Sequence, residues 1–188
     1  MRAALIALFL TGPLPALADS PYAGQETRPL KMLSDDDIAQ IRAGQGWGLA
    51  KVAELNGVPG PAHLLELKDD IPLSPEQVTR IEAIFDQMKT DAIAAGSRYL
   101  AAEEALEMAF ATSDIDESRL ATLLDAVAKA RRDLQMVHLS RHLSTPQLLT
   151  PHQILRYNQL RGYGAGDPCT NIPKGHDPAM WKKHNGCD

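Results

Sequence analysis

Leu73-Ser74-Pro75-Glu76-Gln77 recurs, with the same order of residue types at its cap positions, as Leu149-Thr150-Pro151-His152-Gln153. Each copy reads as a helix start. Ser74 or Thr150 is placed as the N-cap, its hydroxyl accepting from a free N–H of the first turn. Pro75 or Pro151 falls at the first helical position, where no N–H is needed and φ is already set. Gln77 or Gln153 stands at the third position and can reach back to the cap, completing a capping box. Leu73 with Val78, and Leu149 with Ile154, are spaced as hydrophobic staples. A looser copy, Leu33-Ser34-Asp35-Asp36-Asp37-Ile38, keeps cap and staple.

Between the two copies the apolar residues keep a helical period. Ile81, Ile84, Phe85, Met88, Ala92, Ala95, Leu100, Leu106 and Phe110 predict one helix from Ser74 to about Thr112, roughly 55 Å long. Gly96-Ser97 reads as a bend in it. Asp114-Ile115-Asp116 predicts a tight turn, and Leu120, Leu123, Leu124, Val127, Leu134, Val137 and Leu143 a second helix, stopping before Thr145-Pro146. The second motif opens a last helix to about Arg161. Ahead of the hairpin, short helices are expected at Ser34–Ala43 and Pro61–Asp70. Gly44, Gly46, Gly48 and Gly57 punctuate the stretch between, parts of which, such as Leu49–Leu55, have helical character. The fold class is therefore all-α: a long antiparallel helical hairpin with short flanking helices. Two apolar stripes are too much for the hairpin to cover alone, so the short helices or a second copy of the chain must cover the rest, and a homodimer is expected.

The start of the chain has the pattern of a secretory signal. Arg2 precedes the apolar run Ala3–Leu10, and Ala16-Leu17-Ala18 is a small-x-small cleavage site. Residues 1–18 are read as signal peptide, 19–60 as an extended arm and short helix, 61–163 as the hairpin domain and 164–188 as a cysteine-containing tail. The apolar run is too short to span a bilayer, and no later stretch is long enough, so an exported, soluble protein is expected. Without Arg2, 18 basic residues face 24 acidic ones, a net charge of −6. That balance argues against nucleic acid, which requires a basic stripe.

The pair of cap motifs flanking a helical hairpin in an exported chain resembles the LTxxQ family of bacterial periplasmic proteins (Spy, CpxP, ZraP and CnrX-like), over roughly Pro61 to Tyr163. The resemblance implies a helical-hairpin homodimer. It also implies one of two activities. The first is an ATP-independent chaperone or envelope-stress protein that binds unfolded or misfolded periplasmic proteins, with Arg80, Lys89, Arg98, Lys129, Arg131 and Arg132 as a local basic surface. The alternative is a periplasmic heavy-metal sensor or buffer.

The metal alternative has candidate ligands. His138 and His142 lie four apart on one helix face, as two ligands of one ion do. With the turn near residue 114, paired positions sum to about 228, which sets His142 opposite Asp86 and His138 opposite Thr90 and Asp91. Metal sensors of the family combine early-helix histidines, a Glu near the start of the long helix and a His-x-x-x-Met late in the next. On that pattern His138 and His142 match the last element, with His in place of Met, Glu82 stands for the Glu, and His63 is the one early histidine. Imidazole with carboxylate suits zinc, nickel, cobalt or copper. The competing reading is a histidine–carboxylate hydrogen-bond cluster. Glu103, Glu104 and Glu107 read as a solvated acidic face.

Cys169 and Cys187 are the only cysteines. In an exported chain a disulfide is expected, and closing about 18 residues contributes around 3 kcal/mol in the chain-entropy model. The alternative is a zinc knuckle of Cys169, His176, His184 and Cys187, whose spacing fits no standard finger. No nucleophile constellation, phosphate loop or His-Glu-x-x-His is present, so an enzyme is not expected.

Overall fold

The structure, a computed structural model, describes residues 20–163 together with 169, 172, 177–184 and 187. The expected signal peptide and His176 lie outside the described residues. Helices are the only regular elements among those described: α1 Asp35–Arg42, α2 Lys51–Glu54, α3 Pro61–Glu66, α4 Pro75–Ala111, α5 Glu117–Ser144, a 3₁₀ turn Thr145–Leu148, α6 Pro151–Arg161 and α7 Pro178–His184. None is long and apolar enough to cross a membrane.

The caps form as their chemistry dictates. Ser34, Ser74 and Thr150 each accept from the N–H three residues on, and Asp37, Gln77 and Gln153 return the bond, so all three are full capping boxes. Asp116 caps α5 by accepting from the Arg119 N–H. Gly162, at φ 70°, ends α6 in the left-handed conformation that glycine adopts without strain.

Helices α4 and α5, of 37 and 28 residues, form the antiparallel hairpin. Asp91 accepts from Arg141 across it at 2.6 Å. With the Tyr99–Arg131 contact, this makes paired positions sum to about 230, close to the expected register. Helix α4 runs unbroken through Gly96, whose role is contact. A Cβ there would lie 2.8 Å from both the Ile41 carbonyl oxygen and Cγ2. Ala92, Ala95 and Gly96 thus make a shallow groove, and α1 lies in it with Ile38 and Ile41 buried. The arm joins this core: residues 20–33 form turns rather than an extended strand, because Leu30 and Leu33 are buried against it. A second core at the base of the hairpin gathers Leu64, Ile71, Ile81 and Tyr157.

The two motifs meet. The Gln77 and Gln153 amides pair reciprocally, each Nε2 donating to the other's Oε1 at 2.9 Å. Gln77 also donates to Leu148 O at 2.6 Å, and Gln153 to Pro72 O at 2.7 Å. Each Oε1 additionally accepts its own cap N–H, from Ser74 or Thr150. Both amides therefore use two donors and two acceptor positions, their full capacity.

One acidic residue departs from its expected place. Glu103 is buried, not solvated, beside the Tyr99 hydroxyl, which also meets Arg131. Glu107 pairs with Lys31 of the arm. Only Glu104 keeps the solvated role without a described partner.

Candidate functional site

A cleft of about 770 Å³ opens between the glycine-rich loop, α3, α4 and α5. Its polar lining includes Glu54 of α2, His63 of α3, and His138 and His142 of α5, with Lys51, Glu66, Lys89 and Arg161 also on its wall. Trp47 and Met88 form part of the apolar wall.

Local sequence explains how these side chains arrive. The Pro59-Gly60-Pro61 break turns the chain under α5. Gly60 has no room for a side chain: a Cβ would collide with the His142 ring at Nε2. Just before it, the Val58 carbonyl accepts a hydrogen bond from His142 Nδ1 at 2.8 Å. A carbonyl can only accept, so neutral His142 has its lone pair on Nε2.

Glu54 is buried at the cleft floor. It accepts from the Tyr157 hydroxyl at 2.7 Å and from His63 Nδ1 at 2.9 Å. Arg161 Nη2 lies 3.8 Å away. Burial alone would raise its pKa. The hydrogen bonds from His63 and Tyr157, with the charges of His63 and His142, outweigh that and hold the carboxyl below its ordinary range. Tyr157 is pushed up in turn, by burial and then by its bond to Glu54. His63 Nε2 faces Arg161 Nη2 at 3.4 Å, so both its ring nitrogens are engaged.

The Nε2 atoms of His142 and His138 make no hydrogen bond. His142 Nε2 is 3.7 Å from Glu54 Oε1, beyond hydrogen-bond reach. His138 Nε2 is fully buried with no hydrogen-bond partner, and the residue is 2% exposed. Burial and then the neighbouring His142 lower the His138 pKa, which favours the neutral ring.

Of the residues expected at a metal site, the structure brings His63, His138 and His142 to one cleft and leaves Glu82 and Asp86 outside it. Both carboxylates are exposed on α4. The face of α4 turned inward is Ile81, Phe85, Met88 and Ala92, and 82 and 86 fall one position past it. The carboxylate that meets the histidines is Glu54. It stands in the Leu49–Gly60 segment, where no periodicity marks an inward face. The one local signal is that Glu54 is the only acidic residue of that segment. Among the described residues no three His, Cys, Asp or Glu side chains are arranged to hold a metal ion. The oxygens of Glu54 are held by Tyr157 and His63.

In the tail, Cys169 and Cys187 are joined by a disulfide with Cα atoms 5.5 Å apart. The bond consumes both thiolates that a zinc knuckle requires, so that alternative is excluded in this oxidised form. No family model, no curated protein and no solved structure matches this chain.

Proposed function

We propose that the protein is a periplasmic, ATP-independent holding chaperone or envelope-stress protein of the kind the two cap motifs suggest. The observation that carries this reading is the bare end of the hairpin. Past Tyr99 and Leu100 the buried core thins out, and Met108, Phe110 and Leu124 are 56%, 58% and 48% exposed. Met108 and Leu124 are near-partners in the hairpin register. An apolar tip on a rigid pair of helices offers an unfolded chain weak, non-directional contact. Electrostatic holding has less support. Arg131 lies over the Trp47 ring at 5.6 Å, and Lys129 and Arg132 both engage Asp133. The test is light scattering from a heated or reduced substrate with increasing protein and no nucleotide. Suppression by the parent, and its loss in Met108→Gln/Phe110→Gln/Leu124→Gln of unchanged circular dichroism, supports the reading. No suppression across several unrelated substrates in stoichiometric excess removes it.

A second reading, a metal sensor or buffer, is favoured by the convergence of three histidines on one cleft. Calorimetry with zinc, nickel, cobalt and copper should then detect binding that His138→Ala/His142→Ala abolishes, and that weakens below about pH 6 as protons compete for imidazole.

A further inference from the structure

We propose that the cleft holds a soft monovalent ion, copper(I), on His138, His142 and the thioether of Met88. The inference rests on the metal reading and deepens it by naming its ligands and ion class. It follows from which donors are already committed. Glu54 accepts from Tyr157 and His63, and His63 is engaged at both ring nitrogens. His138 Nε2 is buried without a hydrogen bond, and His142 Nε2 stands 3.7 Å from Glu54 Oε1 without one.

Met88 lines the same cleft and is 7% exposed. In the observed register, where paired positions sum to about 230, it is the cross-hairpin partner of His142. Spacing alone does not single Met88 out as a ligand, since a methionine in an apolar stripe is ordinarily core. Here the stripe runs past two buried histidines.

Two neutral imidazoles and a thioether form an uncharged, soft donor set. Soft thioether ligands favour copper(I), and imidazole suits copper as well. A set of two histidines and one methionine leaves the Glu54 network intact. Burial of His138 and Met88 also favours low charge at the ion.

The test uses the full mature protein with its disulfide intact, copper(I) maintained by ascorbate, and competition against a chromogenic copper(I) chelator. Expected are one bound ion per chain and at least tenfold weaker binding in Met88→Leu, a substitution that keeps volume. The X-ray absorption spectrum should show a sulfur scatterer that Met88→Leu removes. Unchanged circular dichroism and melting of Met88→Leu separate lost ligation from lost fold. Parent-like copper(I) affinity in Met88→Leu overturns the proposal. So does copper(I) retained in His138→Ala/His142→Ala. If copper(I) stays with the chelator while zinc still binds in a His138-dependent way, this inference fails and the metal reading survives. If neither metal binds, both fail.

Discussion

Replacing Gln77 by glutamate separates a cap from a clasp. Both residue types serve a capping box equally, so a purely capping role predicts almost no effect. The structure predicts a large one. A glutamate at this position keeps the bond from the Ser74 N–H and can still accept from Gln153 Nε2. It loses both donations, to Leu148 O and to Gln153 Oε1. Two hydrogen bonds at about 1 kcal/mol each come to about 2 kcal/mol. A carboxylate oxygen then faces two acceptors, one of which was 2.6 Å from the amide nitrogen it replaces. That repulsion adds about 1–2 kcal/mol, for a total of about 3–4 kcal/mol. For a chain of this size the melting temperature should fall by roughly 6–15 °C. Ser74→Ala, which removes only the cap hydroxyl, should cost about 1 kcal/mol. The assay is urea or thermal unfolding at pH 7, with Gln153→Glu as the mirror experiment. Near pH 4 the introduced carboxyl takes up a proton and regains one donor, so the gap to the parent should narrow. A Gln77→Glu protein within about 0.5 kcal/mol of the parent at pH 7 would refute the clasp and leave the glutamines as ordinary caps.

Other expectations follow from single contacts. Gly96→Ala should destabilise by about 1–3 kcal/mol by thermal unfolding, since its Cβ meets Ile41 at 2.8 Å, although the same change in an exposed helix gains about 1 kcal/mol. Gly60→Ala should displace the His142 ring, into which the added carbon would run, and weaken any histidine-dependent metal binding at least tenfold. The Asp37 carboxyl is held below its usual range by Ser34 and then by the Trp47 indole. Its stabilisation is complete above the ordinary aspartate pKa and is lost as pH falls below it. In a Trp181→Phe background, Trp47 emission should therefore shift below about pH 4, and Asp37→Asn should abolish that shift. Light scattering at micromolar concentration should give about twice the monomer mass, and a clean monomer that unfolds cooperatively would remove the homodimer expectation.

The helices were legible because caps and periodicity are local. Ser34, Ser74, Asp116 and Thr150 each announced an element, and the apolar spacing carried α4 and α5 between them. The hairpin register was legible to within a few positions, since a short turn leaves little slack. The carboxylate of the candidate site was not. Glu54 reaches His63 through a glycine and proline break whose path depends on tertiary packing. The sequence reads Glu103 as solvated for a related reason: its neighbours in the fold are Tyr99 and, through it, Arg131 of the facing helix. The Gln77–Gln153 pairing joins residues 76 apart, and each glutamine already had a sufficient local role.

That pairing has a topological consequence. Its two halves are chemically equivalent, each a cap glutamine offering one donor to its twin and one to a carbonyl. Nothing in the bonds records that both halves belong to one molecule. Within a single chain the Thr112–Asp116 turn brings them together at high effective concentration. Shorten that turn until the helices cannot reverse, and the same four bonds can close between two molecules that exchange arms. The repeat thus makes the loop at the far end of the hairpin the selector between a self-closed molecule and an interlocked pair.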